Sequence, residues 1–169
     1  LDGYIASKDG DMAWLNNSMS RNEDYGFGET MNRTGAYIMG ANTYRQSVSS
    51  GMGGGDTTKA YVVTHDKPSD KTAKSVEFYS GDLSELAKKA KAETDKDVCL
   101  FGGADIINQF IDEDLIDELG IAVIPVLLGD GVPMYKNMKG LKKLTLAECK
   151  KFDSGIVILK YEFSRKKKK

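Results

Sequence analysis

The sequence predicts an α/β fold: a mostly parallel, twisted sheet with helices packed on it and an antiparallel hairpin at its C-terminal end. Three observations predict it. Short apolar runs alternate with amphipathic stretches of helical period from about residue 35 to 112. Twice an apolar run breaks at glycine and passes straight into a helical pattern, in 36-AYIMGANTYRQS-47 and in 97-DVCLFGGADIINQF-110. Near the end, 142-KKLTLAECKKF-152 and 156-IVILKYEF-163 alternate as strands do and are joined by Asp153-Ser154-Gly155, a hairpin signal.

Taken in order, 3–7 reads as the end of a strand, and 8–21 is polar and turn-rich with Trp14 and Leu15 as isolated apolar anchors. Residues 22–32 read as a helix, weakened by Gly26 and Gly28. A strand follows at 35–39, a turn at Gly40 and a short helix at 41–47. The stretch 48–58 is a loop rich in Gly and Ser. Strands are expected at 60–64 and 76–79. In 82–93, Leu83, Leu86, Ala87 and Ala90 form a helical stripe, and Asp82 or Ser80 offers an N-cap. A strand at 98–101, a Gly-Gly turn and a helix at 104–112 come next, then a long strand at 117–128, a loop at 129–135 and the hairpin.

Bulk properties narrow the function classes. With 169 residues and no internal repeat or linker, a single domain over 1–164 is expected, followed by the basic tail 165-RKKKK-169, expected to be disordered. A net charge of -1 argues against a nucleic-acid binder. No apolar run reaches the roughly 18–20 residues that span a bilayer, so no membrane partner is expected. Cys99 and Cys149 are far apart and not in CxxC spacing, which predicts a reduced, cytoplasmic protein. The single histidine, His65, excludes a multi-His metal site, and the carboxylates show no EF-hand spacing, so no metal is expected.

The Gly-Gly turn carries the chemical signal. A helix that starts at a strand's carboxyl end offers unpaired N–H groups and a partial positive charge, which attract phosphate. Glycine lets the phosphate approach the backbone. Gly102 and Gly103, just before Ala104 and Asp105, have the makings of a pyrophosphate cradle; a tight strand–helix connection without a ligand is the other reading. Neither GxGxxG nor a P-loop is present. The segment from Gly40 through Ala41, Asn42 and Thr43 repeats the arrangement, and 61-YVVTHD-66 ends in Thr64 and His65. Three such strand ends suit one groove for an anionic nucleotide.

LDGYIA at 1–6, MGANTYRQ at 39–46, VVTH at 62–65, LFGGADIINQFIDEDLIDEL at 100–119 and IPVLLGDGVPMY at 124–135 together resemble the dihydrofolate reductase-like proteins. The branch they resemble is the reductase domain of bacterial riboflavin biosynthesis, the RibD C-terminal domain, and its stand-alone relatives. The resemblance implies a three-layer α/β fold and a cofactor, NADPH, lying across the strand ends. It assigns Gly102, Gly103, Ala104 and Asp105 to the pyrophosphate turn, Gly40, Ala41, Asn42 and Thr43 to a second phosphate loop, and Thr64 and His65 to the strand end that meets the adenosine 2′-phosphate. Where the family commonly has basic residues this chain has Ala41 and His65, so NADP against NAD stays open, with His65, Lys67 and Arg45 the basic groups at hand. The resemblance also places an apolar strand ahead of Leu1, and residues preceding Leu1 are expected. A homodimer is implied by analogy.

For the substrate half, the resemblance implies a catalytic carboxylate on the helix before the Met-Gly strand end. Asp24 is preferred there over Glu29, with an ordinary helix-end carboxylate as its bland reading, and Asp2 is a second candidate. Trp14 either closes over a ring or anchors the core; Phe27, with Tyr25, either lines a flat aromatic site or packs inside. Two functions fit. One is an NAD(P)H-dependent reductase of a small heterocycle, pterin- or pyrimidine-like, by hydride transfer. The other is a non-catalytic nucleotide- or pterin-binding protein on the same fold.

Overall fold

Strand, glycine, helix recurs in the chain, and the structure follows the pattern both times. The computed structural model describes residues 1–49, 58–66 and 74–164. Most of the predicted 48–58 loop, Lys67 and the basic tail lie outside the described residues. The elements are β1 (Tyr4–Ala6), α1 (Ala13–Ser18), α2 (Phe27–Arg33), β2 (Thr34–Gly40), α3 (Ala41–Ser49), β3 (Lys59–Val63), β4 (Val76–Tyr79), α4 (Leu83–Ala92), β5 (Asp97–Gly102), α5 (Ala104–Asp112), β6 (Glu118–Val123), β7 (Val132–Pro133), β8 (Leu144–Lys151) and β9 (Val157–Phe163). The backbone forms two compact units, Gly28–Leu115 and Leu1–Phe27 with the chain from Ile116 onward.

The Gly28–Leu115 unit holds a four-stranded sheet in the order β4-β3-β2-β5, every pair parallel. Parallel strands covered on both faces need apolar side chains on both. Accordingly Ile38 and Met39 on β2, and Tyr61 and Val62 on β3, are neighbours in sequence and all buried. α4 lays Leu83, Leu86 and Ala90 inward at the predicted period. Its N-cap is Asp82, whose carboxylate accepts from the Glu85 amide at 2.9 Å. α5 buries Ile106, Phe110 and Ile111. α3 is pinned by Tyr44, whose ring meets Phe78 of β4 edge-on at 5.7 Å.

The other unit holds an antiparallel sheet in the order β6-β9-β8 and the pair β1-β7. The predicted hairpin is present, closed by the Phe152 amide donating to Ile156 O at 2.9 Å. Among the described residues its strands form a sheet of their own with β6, which pairs with β9. Tyr25, Ile124 and Ile156 form the core here, with Trp14, Leu15, Met19, Val126, Phe152 and Ile158 packed on it.

Three predicted boundaries change. The helix expected at 22–32 starts only at Phe27, because Tyr25 (φ 54°) and Gly26 (φ 81°) take left-handed conformations. The ring of Tyr25 is buried 4.8 Å from Phe152, and its hydroxyl accepts from the Ser20 amide at 2.7 Å and donates to Glu23 at 2.9 Å. Those tertiary ties hold a turn where local preference reads helix. The strand expected at 117–128 ends at Val123, since Pro125 has no N–H to donate and the Val126 amide turns back to Ile124 O at 2.8 Å. Within 8–21, read as turns, Ala13–Ser18 is a short helix that presents Trp14 and Leu15 to the core.

Candidate functional site

Because β2, β3, β4 and β5 are parallel, their carboxyl ends lie on one edge, where ligands of open α/β sheets bind. The register sets Gly40 beside Val63 on β3, and Met39 beside Gly102 on β5. Gly40 and the Gly102-Gly103 turn are thereby in contact: a Cβ added to Gly40 would lie 3.8 Å from the Gly103 nitrogen and 3.9 Å from Gly102 O. Thr43, in the first turn of α3, completes the group, its Oγ1 standing 3.3 Å from where a Cβ on Gly103 would be.

The two glycines serve different needs. Gly102 has φ 111°, a conformation that side chains with a Cβ rarely adopt, although there is room around it. Gly103 has an ordinary φ of -76° but little room, because Thr43 is close. One glycine shapes the turn and the other keeps a surface clear. Gly103 caps α5 with no side-chain hydrogen bond, so the helix keeps its first-turn amides for another acceptor. Ala104 is buried and Asp105 exposed on that turn.

At the next strand ends, the Thr64 amide donates to Tyr79 O at 3.0 Å and Thr64 Oγ1 accepts from the Asp66 amide at 3.1 Å. His65 Nδ1 lies 3.3 Å from Ser80 Oγ. On α3, exposed Asn42 accepts from Arg45 at 2.6 Å, and Ala41 packs with Met39, Ala60 and Val62. Ser80, Asp66 and Arg45 join this edge with weak sequence signals: Ser80 reads as a helix cap, and Asp66 merely follows His65.

The substrate-side candidates belong to the other unit. The Asp2 carboxylate accepts from the Gly129 amide at 2.7 Å, and that hydrogen bond holds it below the usual carboxylate range. This suits an anchor for the Gly129 turn. Asp24 lies ahead of α2 rather than on it, and its carbonyl accepts from the Phe27 amide at 3.0 Å. The reason is the Tyr25-Gly26 turn. Trp14 packs on the Tyr25 core, while Phe27 is 53% exposed. Among the described residues, no helix is long and apolar enough to cross a membrane, and no group of three His, Cys, Asp or Glu could hold a metal ion.

A glycine cradle at the carboxyl edge of this sheet is what the sequence resemblance implies, and the family model of the RibD C-terminal domain matches residues 1–158. The chain belongs to the RibD C-terminal domain family. It is 31% identical over 157 residues to YwjB, an uncharacterized protein of Bacillus subtilis (strain 168), covering 92% of this chain and 89% of that one. A second uncharacterized protein of that organism, YyaP, is 26% identical over 174 residues, with 97% and 90% covered. A crystal structure from Shewanella sp. PV-4, of a protein provisionally assigned to riboflavin biosynthesis, superposes with a TM-score of 0.87 at 27% identity, over 98% of this chain and 94% of that one. The Thermotoga maritima diaminohydroxyphosphoribosylaminopyrimidine deaminase/5-amino-6-(5-phosphoribosylamino)uracil reductase superposes with a TM-score of 0.69 at 17% identity, over 97% of this chain and 54% of that one. This RibD C-terminal domain has the dihydrofolate reductase-like α/β fold.

Proposed function

We propose that this RibD C-terminal domain protein is an NAD(P)H-dependent reductase of a small, flat heterocycle, pterin- or pyrimidine-like. The observation that carries the reading is the open cradle: Gly40, Thr43 and Gly102-Gly103 converge at an uncapped helix start, and a Cβ on Gly103 would fill the space beside Thr43. These groups fit the pyrophosphate of a dinucleotide. The amides at the start of α5 would accept its charge, and Thr43 Oγ1 would donate to it. When bound, the reduced nicotinamide supplies the hydride. The reductase named among the neighbours supports a pyrimidine-like substrate.

Asp24 is the carboxylate we assign to the proton. Asp2, kept charged by Gly129, suits that role less. A cytoplasmic homodimer without a metal completes the proposal, and mass measurement in solution tests the dimer.

Calorimetric titration with NADPH, and separately with NADH, tests the cradle. Binding that Gly103→Val weakens roughly 10- to 100-fold while the protein stays folded is the expected result; equal binding by the variant would sink the assignment. One observation favours a second reading, a nucleotide-binding protein without catalysis: Asp2 and Trp14 both have structural jobs. Consumption of reduced cofactor with a pyrimidine or pterin separates the two, and loss of that consumption in Asp24→Asn with binding retained is expected of the reductase.

A further inference from the structure

The β6-β9-β8 sheet has two unlike faces. Side chains alternate along a strand, so every second residue shares a face. On β9, Val157, Leu159, Tyr161 and Phe163 share one. The register sets Leu119, Ile121 and Val123 of β6 beside them on one flank, and Leu144, Leu146 and Cys149 of β8 on the other. An irregularity between Leu146 and Glu148 brings Cys149 onto the face of Leu146. Lys151, opposite Val157, is the one charge on this face among the described residues of the three strands. The opposite face carries Thr145, Glu148, Lys150, Lys160 and Glu162, with Lys160 and Glu148 in an ion pair at 2.8 Å.

An antiparallel sheet commonly turns its apolar face to a core and its polar face to water. Here the unit's own core lies on the polar side: Ile158, which shares that face with Lys160, packs on the cluster of Tyr25, Ile124 and Ile156. None of the ten residues on the apolar face is buried, and Leu144 and Leu146 are 36% and 52% exposed. Three strands about 4.8 Å apart and seven residues at about 3.4 Å each give a patch of roughly 350 Å². An apolar patch of that size on a protein surface often marks an interaction site.

The layout of the patch names its occupant. Three of its residues stand on β6, four on β9 and three on β8, so β9 is an axis of approximate symmetry. A second copy turned over about that axis lays β6 on β8 and β8 on β6, apolar row against apolar row. A twofold interface requires such a self-complementary patch. The partner's Lys151 then comes over Val123 at the patch corner, where its ammonium reaches water, and no lysine meets its own twin. We propose that this face is the surface through which two copies of the chain associate, their sheets stacked about 10 Å apart. The patch supplies the apolar centre of the roughly 800 Å² per partner that a stable dimer buries, and charges such as Lys151 supply its rim. The inference rests on the homodimer proposed above, to which it gives a surface, and is independent of the cofactor chemistry.

Sedimentation over a protein concentration series tests it with a matched pair of variants. Leu146→Lys and Thr145→Lys put the same charge on neighbouring residues of β8, one on each face. Both positions are exposed, so both variants are expected to fold, and urea unfolding checks that they do. Leu146→Lys is expected to raise the dimer dissociation constant roughly 100-fold or more. Thr145→Lys is expected to leave it within about twofold. Thiol labelling of the parent gives a second readout that needs no substitution. Cys149 is exposed in the single chain and central in the patch, so maleimide should modify it more slowly at concentrations where the dimer forms. Should Leu146→Lys unfold, that labelling rate decides alone. A parent that is monomeric at every concentration overturns the second copy as occupant. A dimer that both variants leave intact, with Cys149 labelled at one rate throughout, keeps the homodimer and overturns this face. Either way the NADPH titration judges the reductase reading separately.

Discussion

Two strand–helix junctions on the same sheet edge solve the same problem in opposite ways. At β4–α4 the helix closes its own N-terminus: the Asp82 carboxylate accepts from the Glu85 amide at 2.9 Å and from Ser84 Oγ at 2.7 Å, and the Tyr79 hydroxyl donates to Asp82 O at 2.9 Å. A Cβ on Gly81 would stand 3.0 Å from that hydroxyl, so the turn is packed full. At β5–α5 no side chain caps the helix, and the nearest group to a Cβ on Gly103 is a hydroxyl that can itself donate. Both helices begin with donors that need acceptors. One has an acceptor built into the chain, and the other has kept the place clear. A helix start at a sheet's carboxyl edge is therefore not a ligand site by topology alone. What sets the β5–α5 junction apart is a Gly103 N-cap with no side-chain hydrogen bond, against the Asp82 carboxylate at β4–α4.

The difference can be broken from either side. The largest effect belongs to Gly103→Val: it fills the cleared surface, and NADPH affinity falls by roughly 10- to 100-fold, while the unfolding midpoint moves little because a φ of -76° suits a residue with a side chain. Gly102→Ala sharpens the contrast within one turn. Its neighbours leave room, with Ile107 and Thr43 atoms both 3.9 Å from a Cβ, but its φ of 111° does not suit alanine. A stability loss of about 1–3 kcal/mol is expected in urea unfolding, so the two adjacent glycines should separate into one that governs binding and one that governs folding. Should Gly102→Ala be neutral to stability, that division is wrong.

The smallest effect lies at the closed junction. Asp82→Ala uncaps α4 and lowers the unfolding midpoint by a few degrees, with cofactor affinity unchanged. Its pH dependence has a definite sign. The Ser84 hydroxyl first, and the Glu85 amide next, hold the Asp82 carboxyl below its ordinary value. A depressed carboxylate stabilises the fold above its unfolded pKa and loses that contribution as pH falls through the folded value. The difference in midpoint between parent and Asp82→Ala should thus be constant at neutral pH and shrink below about pH 4. A change in NADPH affinity on the same substitution would erase the distinction between the junctions.

Much of this was legible in the chain itself. The 3.6-residue stripe of Leu83, Leu86 and Ala90, the apolar runs of β2 and β3, the Asp82 cap and the hairpin at 153–155 depend on neighbours within a turn or two. Local physics fixes such features, so a pattern in sequence suffices. The same holds for Gly102-Gly103, whose place between strand and helix shows wherever the turn sits. Tyr25 was not legible, because contacts with Phe152 and Ser154, far along the chain, hold its left-handed turn. The site was legible only as fragments. That Gly40 and Thr43 stand against Gly102-Gly103, and that Arg45 shares its charge with Asp66, follows from the register of parallel strands. Parallel neighbours are joined through intervening helices and loops, so their pairing is non-local, and no short stretch of sequence encodes it. The sequence by itself determined the strand ends, the glycines that follow them and the Asp82 cap of α4, because each depends on near neighbours; the tertiary structure decided which strand ends meet, because parallel pairing is non-local.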